Sequence, residues 1–231
     1  MGWLSYTISR ALAKGIFECL GPIHLFHPER VEREGAFLLA ANHISHFDPP
    51  LLSVALGRHI DWMAMLELFE KKWADRFFRS VNAFPTDRAR VDRTAVRTAL
   101  KRLEAGRVVG IFPEGGIRAG ATSLLEGAPM RPGAASLAQM AGVPIVPCVV
   151  LGTDRLYNKE CLKPFRRAKF WVGFGDALKT REDLPKTEAR EQLEADLAAA
   201  IRALYAEMQK AFCLTPEDLP HTPQARKGRV P

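Results

Sequence analysis

The residues most able to do chemistry in this 231-residue chain lie in one short run, Asn42-His43-Ile44-Ser45-His46-Phe47-Asp48-Pro49-Pro50, which follows an apolar segment and precedes a helical pattern. A histidine five positions before an aspartate across a turn can bring imidazole and carboxylate together. The carboxylate then accepts the Nδ1 proton and leaves Nε2 free as a base for a hydroxyl. The same residue types also cap helices, so the spacing alone leaves a structural role open. His46 opens a third reading, because His43-x-x-His46-x-Asp48 is the kind of ligand-rich loop from which a metal-dependent hydrolase could be built. A metal site normally recruits further donors from other loops, and His24, His27, His59 and His221 stand isolated. No bound metal is therefore expected; separately, no organic cofactor is expected.

A second run, Ile111-Phe112-Pro113-Glu114-Gly115-Gly116-Ile117-Arg118, again follows an apolar segment. Adjacent glycines let backbone N–H groups approach an anion closely, and Arg118 offers a two-pronged clamp for phosphate. Between the two runs, Phe84-Pro85-Thr86-Asp87-Arg88 brings a further arginine to the end of a short apolar segment. Taken singly, a Gly-Gly turn is usually only a turn, and Arg88 could pair on the surface with Asp87 or Asp92.

These runs need a scaffold that gathers segment ends, and the chain's alternation of short apolar stretches with helical patterns is that of a single α/β domain. The expected fold is a mixed central sheet flanked by helices, preceded by an N-terminal amphipathic helix. Strands are expected at 36–41, 60–65, 81–84, 107–112, 144–151 and 169–174, and helices at 50–56, 67–78, 89–105, 132–141 and 187–212. Leu193, Leu197, Ile201, Leu204, Tyr205 and Met208 line one face of the last helix, which predicts packing on the sheet. Residues 3–20 place Trp3, Leu4, Ile8, Ala11, Leu12, Ile16, Phe17 and Leu20 at helical spacing, with Ser5, Ser9, Arg10 and Lys14 between them. The stretch is too polar and short to span a bilayer, which takes ~20 mostly apolar residues. Its apolar side suits either a membrane interface or the protein core. The expected division is 1–30 as a membrane-interface segment, 31–212 as the α/β domain and 213–231 as a poorly ordered, proline-rich tail.

Composition narrows the partners. The 33 Lys+Arg against 26 Asp+Glu give a formal +7, and 47% hydrophobic residues exclude a disordered chain. The whole excess sits in Lys71–Arg107, with 11 basic and 4 acidic residues. Phosphate, acidic lipid or nucleic acid could each answer that charge. A second basic cluster, Arg155 to Lys169, holds six basic residues and one acidic residue. Cys19, Cys148, Cys161 and Cys213 are widely spaced and are expected to be reduced. No secretory signal or lipid-anchor pattern is read at the start, where Tyr6 stands in place of a Ser or Thr.

In combination the motifs carry a resemblance. Asn-His-x-Ser-x-x-Asp at 42–48, the apolar segment ending in Arg88, Phe-Pro-Glu-Gly at 112–115 and Val-Pro-Ile-Val-Pro at 143–147 resemble, in order and approximate spacing, the four motifs of the glycerolipid acyltransferases. Within that group the chain is similar to the 1-acylglycerol-3-phosphate (lysophosphatidic acid) acyltransferases. The resemblance covers roughly residues 36–175. It implies transfer of a fatty acyl group from an acyl-CoA or acyl carrier protein thioester to the free hydroxyl of a lysophospholipid, giving phosphatidic acid, with no covalent acyl-enzyme. It implies His43 as general base oriented by Asp48, and Arg88, Glu114 and Gly115 at the acceptor, where Arg118 is expected as a further phosphate contact by its own chemistry, while 143–147 packs as a pocket wall. Three departures stand out: Ile117-Arg118 puts the arginine one position later than the family's Gly-Thr-Arg, Asn82 stands near where a glycine often opens the second motif, and Arg131 stands where a lysine is frequent. The implied location is the cytoplasmic face of a membrane, peripheral or monotopic, with anionic phospholipid as a partner and no nucleic acid.

Overall fold

Seven strands come together in one sheet in the order β1-β7-β6-β2-β5-β3-β4. They are β1 (Ile23–Phe26), β2 (Phe37–Ala41), β3 (Ile60–Met65), β4 (Phe84–Thr86), β5 (Val108–Ile111), β6 (Ile145–Leu151) and β7 (Phe170–Phe174). The computed structural model describes residues 2–89, 92–162 and 168–228. Strands β6, β2, β5, β3 and β4 run parallel. Strand β7 runs antiparallel to β6, and β1 pairs parallel with β7. The expected mixed sheet is present, and its five parallel strands deliver all their C-terminal ends to one edge.

Seven helices accompany the sheet among the described residues: α1 (Gly2–Leu20), α2 (Asp48–Ala55), α3 (Lys72–Ser80), α4 (Arg93–Glu104), α5 (Ala134–Ala141), α6 (Lys186–Ala211) and α7 (Pro223–Gly228). Strands buried on both faces read as unbroken apolar runs, and β2, β5, β6 and β7 are buried throughout. Leu38 and Ala40 face a core layer with residues of α4, α5 and α6, while Phe37, Leu39 and Ala41 face the opposite layer with Phe17 of α1 and Leu51 and Leu52 of α2. The α6 residues read from the sequence as its apolar face are all buried in the first layer.

Several boundaries moved. The segment expected at 81–84 becomes a strand only at Phe84–Thr86, because Asn82 adopts a left-handed turn with φ +64°. Helix α4 starts at Arg93, where the Asp92 side chain accepts hydrogen bonds from the Thr94 and Ala95 amides and so sets the N-terminus. The helix expected at 67–78 divides into a 3-10 turn, Leu66–Phe69, and α3. Strand β1 was not foreseen, since four residues at a sheet edge carry little pattern. It places 23–26 inside the domain rather than in the N-terminal segment. The tail expected to be poorly ordered carries α7, and its Arg226 is buried.

Helix α1 also divides its apolar residues differently from the sequence pattern. Tyr6 and Phe17 enter the core: the Tyr6 hydroxyl accepts the Ile60 amide at 2.9 Å, and the Phe17 ring packs edge-on against Phe170. Leu4, Ile8, Leu12 and Ile16, spaced four apart, remain 51–65% exposed.

One glycine fixes how close β3 and β5 side chains lie. A Cβ on Gly110 would sit 2.6 Å from two ring carbons of Trp62 and 2.8 Å from Ile60 Cγ2. Trp62 cannot swing freely, because its indole N–H donates to Ser53 Oγ at 3.0 Å. Forcing a methyl group into such a packed layer costs about 1–3 kcal/mol. Gly110→Ala should therefore lower the unfolding free energy by about that amount in denaturant titration. An unchanged midpoint would mean that the layer relaxes without strain.

Candidate active site

The His43–Asp48 loop leaves β2 at the sheet's C-terminal edge, and Asn42 anchors its start. Buried Asn42 continues the β2–β6 ladder with its side chain: Nδ2 donates to Val150 O at 3.0 Å and Oδ1 accepts Val150 N at 2.8 Å. The amide thus imitates one more backbone pair and lets the chain turn away without orphaning β6. At the other end of the loop Asp48 opens α2, followed by Pro49 and Pro50, which fit a helix's first turn.

Asp48 is fully buried, and its carboxylate is met from several directions. Oδ2 accepts the Ile44 amide at 2.8 Å, the Ser45 amide at 2.9 Å and His43 Nδ1 at 2.8 Å. Oδ1 accepts the Thr153 hydroxyl from the turn after β6. Because Oδ2 already accepts two amide protons, the consistent tautomer puts a proton on His43 Nδ1 and a lone pair on Nε2. The His43 ring is sandwiched on one side: it stacks on Phe112 (centroids 4.0 Å, 16° between planes), which stacks on Trp62 (5.0 Å, 7°). The imidazole is thereby fixed in plane as well as in tautomer.

The Phe112–Arg118 run leaves β5, the strand beside β2, and grips the His43 loop from the side. Glu114, 5% exposed, takes the His43 amide on Oε2 at 2.5 Å, and on Oε1 the Ser123 hydroxyl at 2.9 Å and the Leu124 amide at 2.6 Å. The Arg118 amide donates to the His43 carbonyl at 2.8 Å. Both Glu114 oxygens are thus engaged by the protein itself, and burial pushes its carboxyl above the ordinary glutamate range. The resemblance had implied a place for Glu114 at the acceptor. The geometry makes it a brace between the His43 backbone and the turn at 123–124.

Gly115 adopts φ +65° and leaves room for an arginine: a Cβ there would collide with the Arg131 side chain. Arg88, delivered from the end of β4, donates from Nη1 to Gly115 O at 2.8 Å, and Arg131 donates to Arg88 O at 3.3 Å. Arg88, Gly115 and Arg131 form one cluster, and the Arg118 backbone ties the same turn to His43. Arg131 was noticed in the sequence only as a substitution for lysine. Thr153, Asn42, Phe112 and Trp62 act through contacts between neighbouring strands and their turns, and Ser123 through a turn that folds back on Glu114, so spacing along one segment marks none of them as a site residue. The Val143–Pro147 run enters β6 at the opposite edge, and Ile145 and Val146 are fully buried in the core. It packs the core and does not wall the His43 site.

The metal reading finds no support in the donors. Asp48 is committed as described, and the His46 ring lies edge-on to Tyr157 at 6.2 Å, with burial holding its basicity down. Among the described residues no three His, Cys, Asp or Glu side chains converge as a metal-binding group.

The parallel edge of the sheet thus carries a hydrogen-bonded His43–Asp48 pair beside a Gly-Gly turn that Arg88 reaches, at the strand ends where α/β sheets build their sites. The chain belongs to the acyltransferase family, whose model matches residues 23–151. It is 31% identical over 191 residues to the 1-acyl-sn-glycerol-3-phosphate acyltransferase of Bacillus subtilis (strain 168), an alignment covering 82% of this chain and 90% of that protein. Its fold is also that of the crystal structure of the 1-acyl-sn-glycerophosphate (LPA) acyltransferase from Thermotoga maritima, with a TM-score of 0.64 at 21% identity, covering 87% of this chain and 80% of that one.

Removing the Glu114 carboxylate leaves two amides and a hydroxyl without their acceptor, and each buried unsatisfied donor costs ~1–3 kcal/mol. Glu114→Ala is expected to destabilise the fold by at least about 2 kcal/mol. It should also speed hydrogen exchange at the His43 and Leu124 amides. Unaltered exchange at both would contradict the bracing role.

Proposed function

We propose that the protein is a 1-acylglycerol-3-phosphate O-acyltransferase, with acyl-CoA or an acyl carrier protein thioester as donor and phosphatidic acid as product. The observation that carries this reading is the 2.8 Å His43 Nδ1–Asp48 Oδ2 contact on the same sheet edge as Arg88 and the Gly115 turn. The curated relative and the family membership support the acceptor. A thioester is already activated, so the reaction needs a base and charge stabilisation, not a protein nucleophile.

His43 Nε2 takes the proton from the acceptor hydroxyl as its oxygen attacks the thioester carbonyl. The imidazolium formed is stabilised by Asp48, which the two loop amides and Thr153 hold in place. As the tetrahedral intermediate collapses, the C–S bond breaks and His43 returns the proton to the leaving thiolate. Arg88 and Arg118 hold the acceptor phosphate across the Gly115–Gly116 turn, where fork-shaped guanidinium groups and backbone N–H groups suit phosphate oxygens.

The same reading includes peripheral attachment to an anionic membrane. Leu4, Ile8, Leu12 and Ile16 form an exposed stripe on α1, and the neighbouring α3 exposes Trp73 at 71% and Phe77 at 51%. Lys71, Lys72 and Arg76 are exposed beside these rings. Apolar side chains rimmed by cations fit an interface, where each basic residue adds ~1 kcal/mol of attraction to acidic lipid. No described helix is long and apolar enough to cross a membrane. Of the second basic cluster, residues 163–167 lie outside the described residues.

His43→Ala, checked for folding by circular dichroism, should lower acyl transfer from acyl-CoA to lysophosphatidic acid by ~10³-fold, in the range of a lost general base. Arg88→Ala should instead raise KM for the acceptor about tenfold, as expected for one charge-assisted contact. Wild-type turnover in folded His43→Ala would sink the assignment. For attachment, Ile8→Glu with Leu12→Glu should abolish co-sedimentation with phosphatidylglycerol-containing vesicles while leaving the melting temperature unchanged. Retained sedimentation would show that this face is not the docking surface.

A further inference from the structure

The C-terminal tail is attached to the catalytic loop through two side-chain routes, although it lies beyond the residues that the family model matches. The first runs through the turn after β6. Asp154 is fully buried, and its Oδ2 accepts Arg226 Nε at 2.6 Å and the His221 amide at 3.0 Å. Arg226 is itself 6% exposed, and its Nη2 donates to the carbonyls of Leu219 at 3.0 Å and Glu217 at 3.2 Å. Asp154 Oδ1 has no hydrogen-bond partner among the described residues, so the tail supplies every hydrogen bond its side chain makes. The adjoining residue, Thr153, donates its hydroxyl to Asp48 Oδ1.

The second route runs one turn further. The Tyr157 hydroxyl accepts the His46 amide at 3.1 Å, and Lys227 Nζ lies 5.9 Å from the centre of the Tyr157 ring. Arg155 strengthens the junction by gripping Asp218 at 2.6 Å and the Glu217 carbonyl at 2.8 Å. The Thr153–Tyr157 turn is thus held by tail residues on one side and contacts the His43–Asp48 loop at Asp48 and His46 on the other.

We propose that Arg226 is a positioning residue for catalysis: by pinning Asp154 it sets the Thr153 hydroxyl on Asp48, and through Asp48 the plane and tautomer of His43. The inference rests on the assignment of His43 as the base. A buried carboxylate that loses its ion-pair partner is left uncompensated, so without Arg226 the turn must open to hydrate Asp154 and carries Thr153 with it. Small displacements of a catalytic group cost rate more than binding.

The test is a double-mutant cycle in the full-length chain, with Arg226→Ala and Thr153→Val assayed for acyl transfer to lysophosphatidic acid. Arg226→Ala should lower kcat about tenfold or more with the acceptor KM held within about twofold. Thr153→Val should do the same, and the double variant should be no slower than the slower single one, because both remove the same contact. Unchanged kcat in folded Arg226→Ala, losses that multiply in the double variant, or a rise in KM alone would each overturn the proposal. Should Arg226→Ala fail to fold, Arg226→Lys keeps the charge but loses the fork that reaches the 217 and 219 carbonyls, and is read by the same criteria. If the wild type is active and His43→Ala is not, a negative result counts against the brace alone. If folded His43→Ala remains active, it is the base assignment that fails.

Discussion

A carboxylate buried away from water must be surrounded by donors, and Asp48 imposes that requirement on much of the sheet edge. Its donors are two amides of its own loop, the His43 ring and the Thr153 hydroxyl, so β2, α2 and the turn after β6 must meet at one point. A parallel sheet makes such a meeting possible, because adjacent strands end at the same edge. The remaining contacts serve to keep it rigid: Asn42 locks β2 to β6, Glu114 holds the His43 backbone from β5, and the Phe112–Trp62 stack supports the imidazole face. A loose version of this cluster would leave a buried charge under-coordinated, which is costly enough to select one arrangement.

Two carboxylates at this edge are used in opposite ways. Asp48 gives one of its hydrogen bonds to the His43 ring, whereas Glu114 holds two backbone amides and the Ser123 hydroxyl. Arg88 and Arg131, gathered around Gly115, supply the positive counterpart. The positive φ of Gly115 and the absence of a Cβ there are what let Arg131 pack against the turn, so the glycine acts on the arginines as much as on any ligand.

Away from the edge, α1 serves two environments at once. Tyr6 and Phe17 fasten it to β3 and β7, and this anchoring holds the Leu4–Ile16 stripe outward at a fixed orientation to the domain. The charge excess of Lys71–Arg107 divides in the same manner. Arg102 and Arg107 are spent on buried Asp61, Arg88 reaches the Gly115 turn, and Lys71, just before α3, stays exposed with Lys72 and Arg76 on it. A single number for net charge conceals a core ion-pair cluster, a site residue and a surface.

The sequence by itself determined the class of fold, the position of the main strands and the residue types of the candidate site. Apolar runs of strand length and α6's helical stripe are local patterns, and the His43-to-Asp48 spacing is legible because both groups share one loop. The family resemblance added the sense of Arg88 and the Gly115 turn. Only the tertiary structure decided which side chains fix that loop, since Thr153, Ser123 and Arg226 lie from tens of residues to more than a hundred residues away from it and carry no mark of their partners. It also decided that Glu114 is spent internally, that 143–147 lies at the far edge, and that α1 sends Phe17 inward and Leu12 outward. Each of these depends on which surfaces meet across the sheet, and a pattern of spacing along one segment holds no information about the segment it will face.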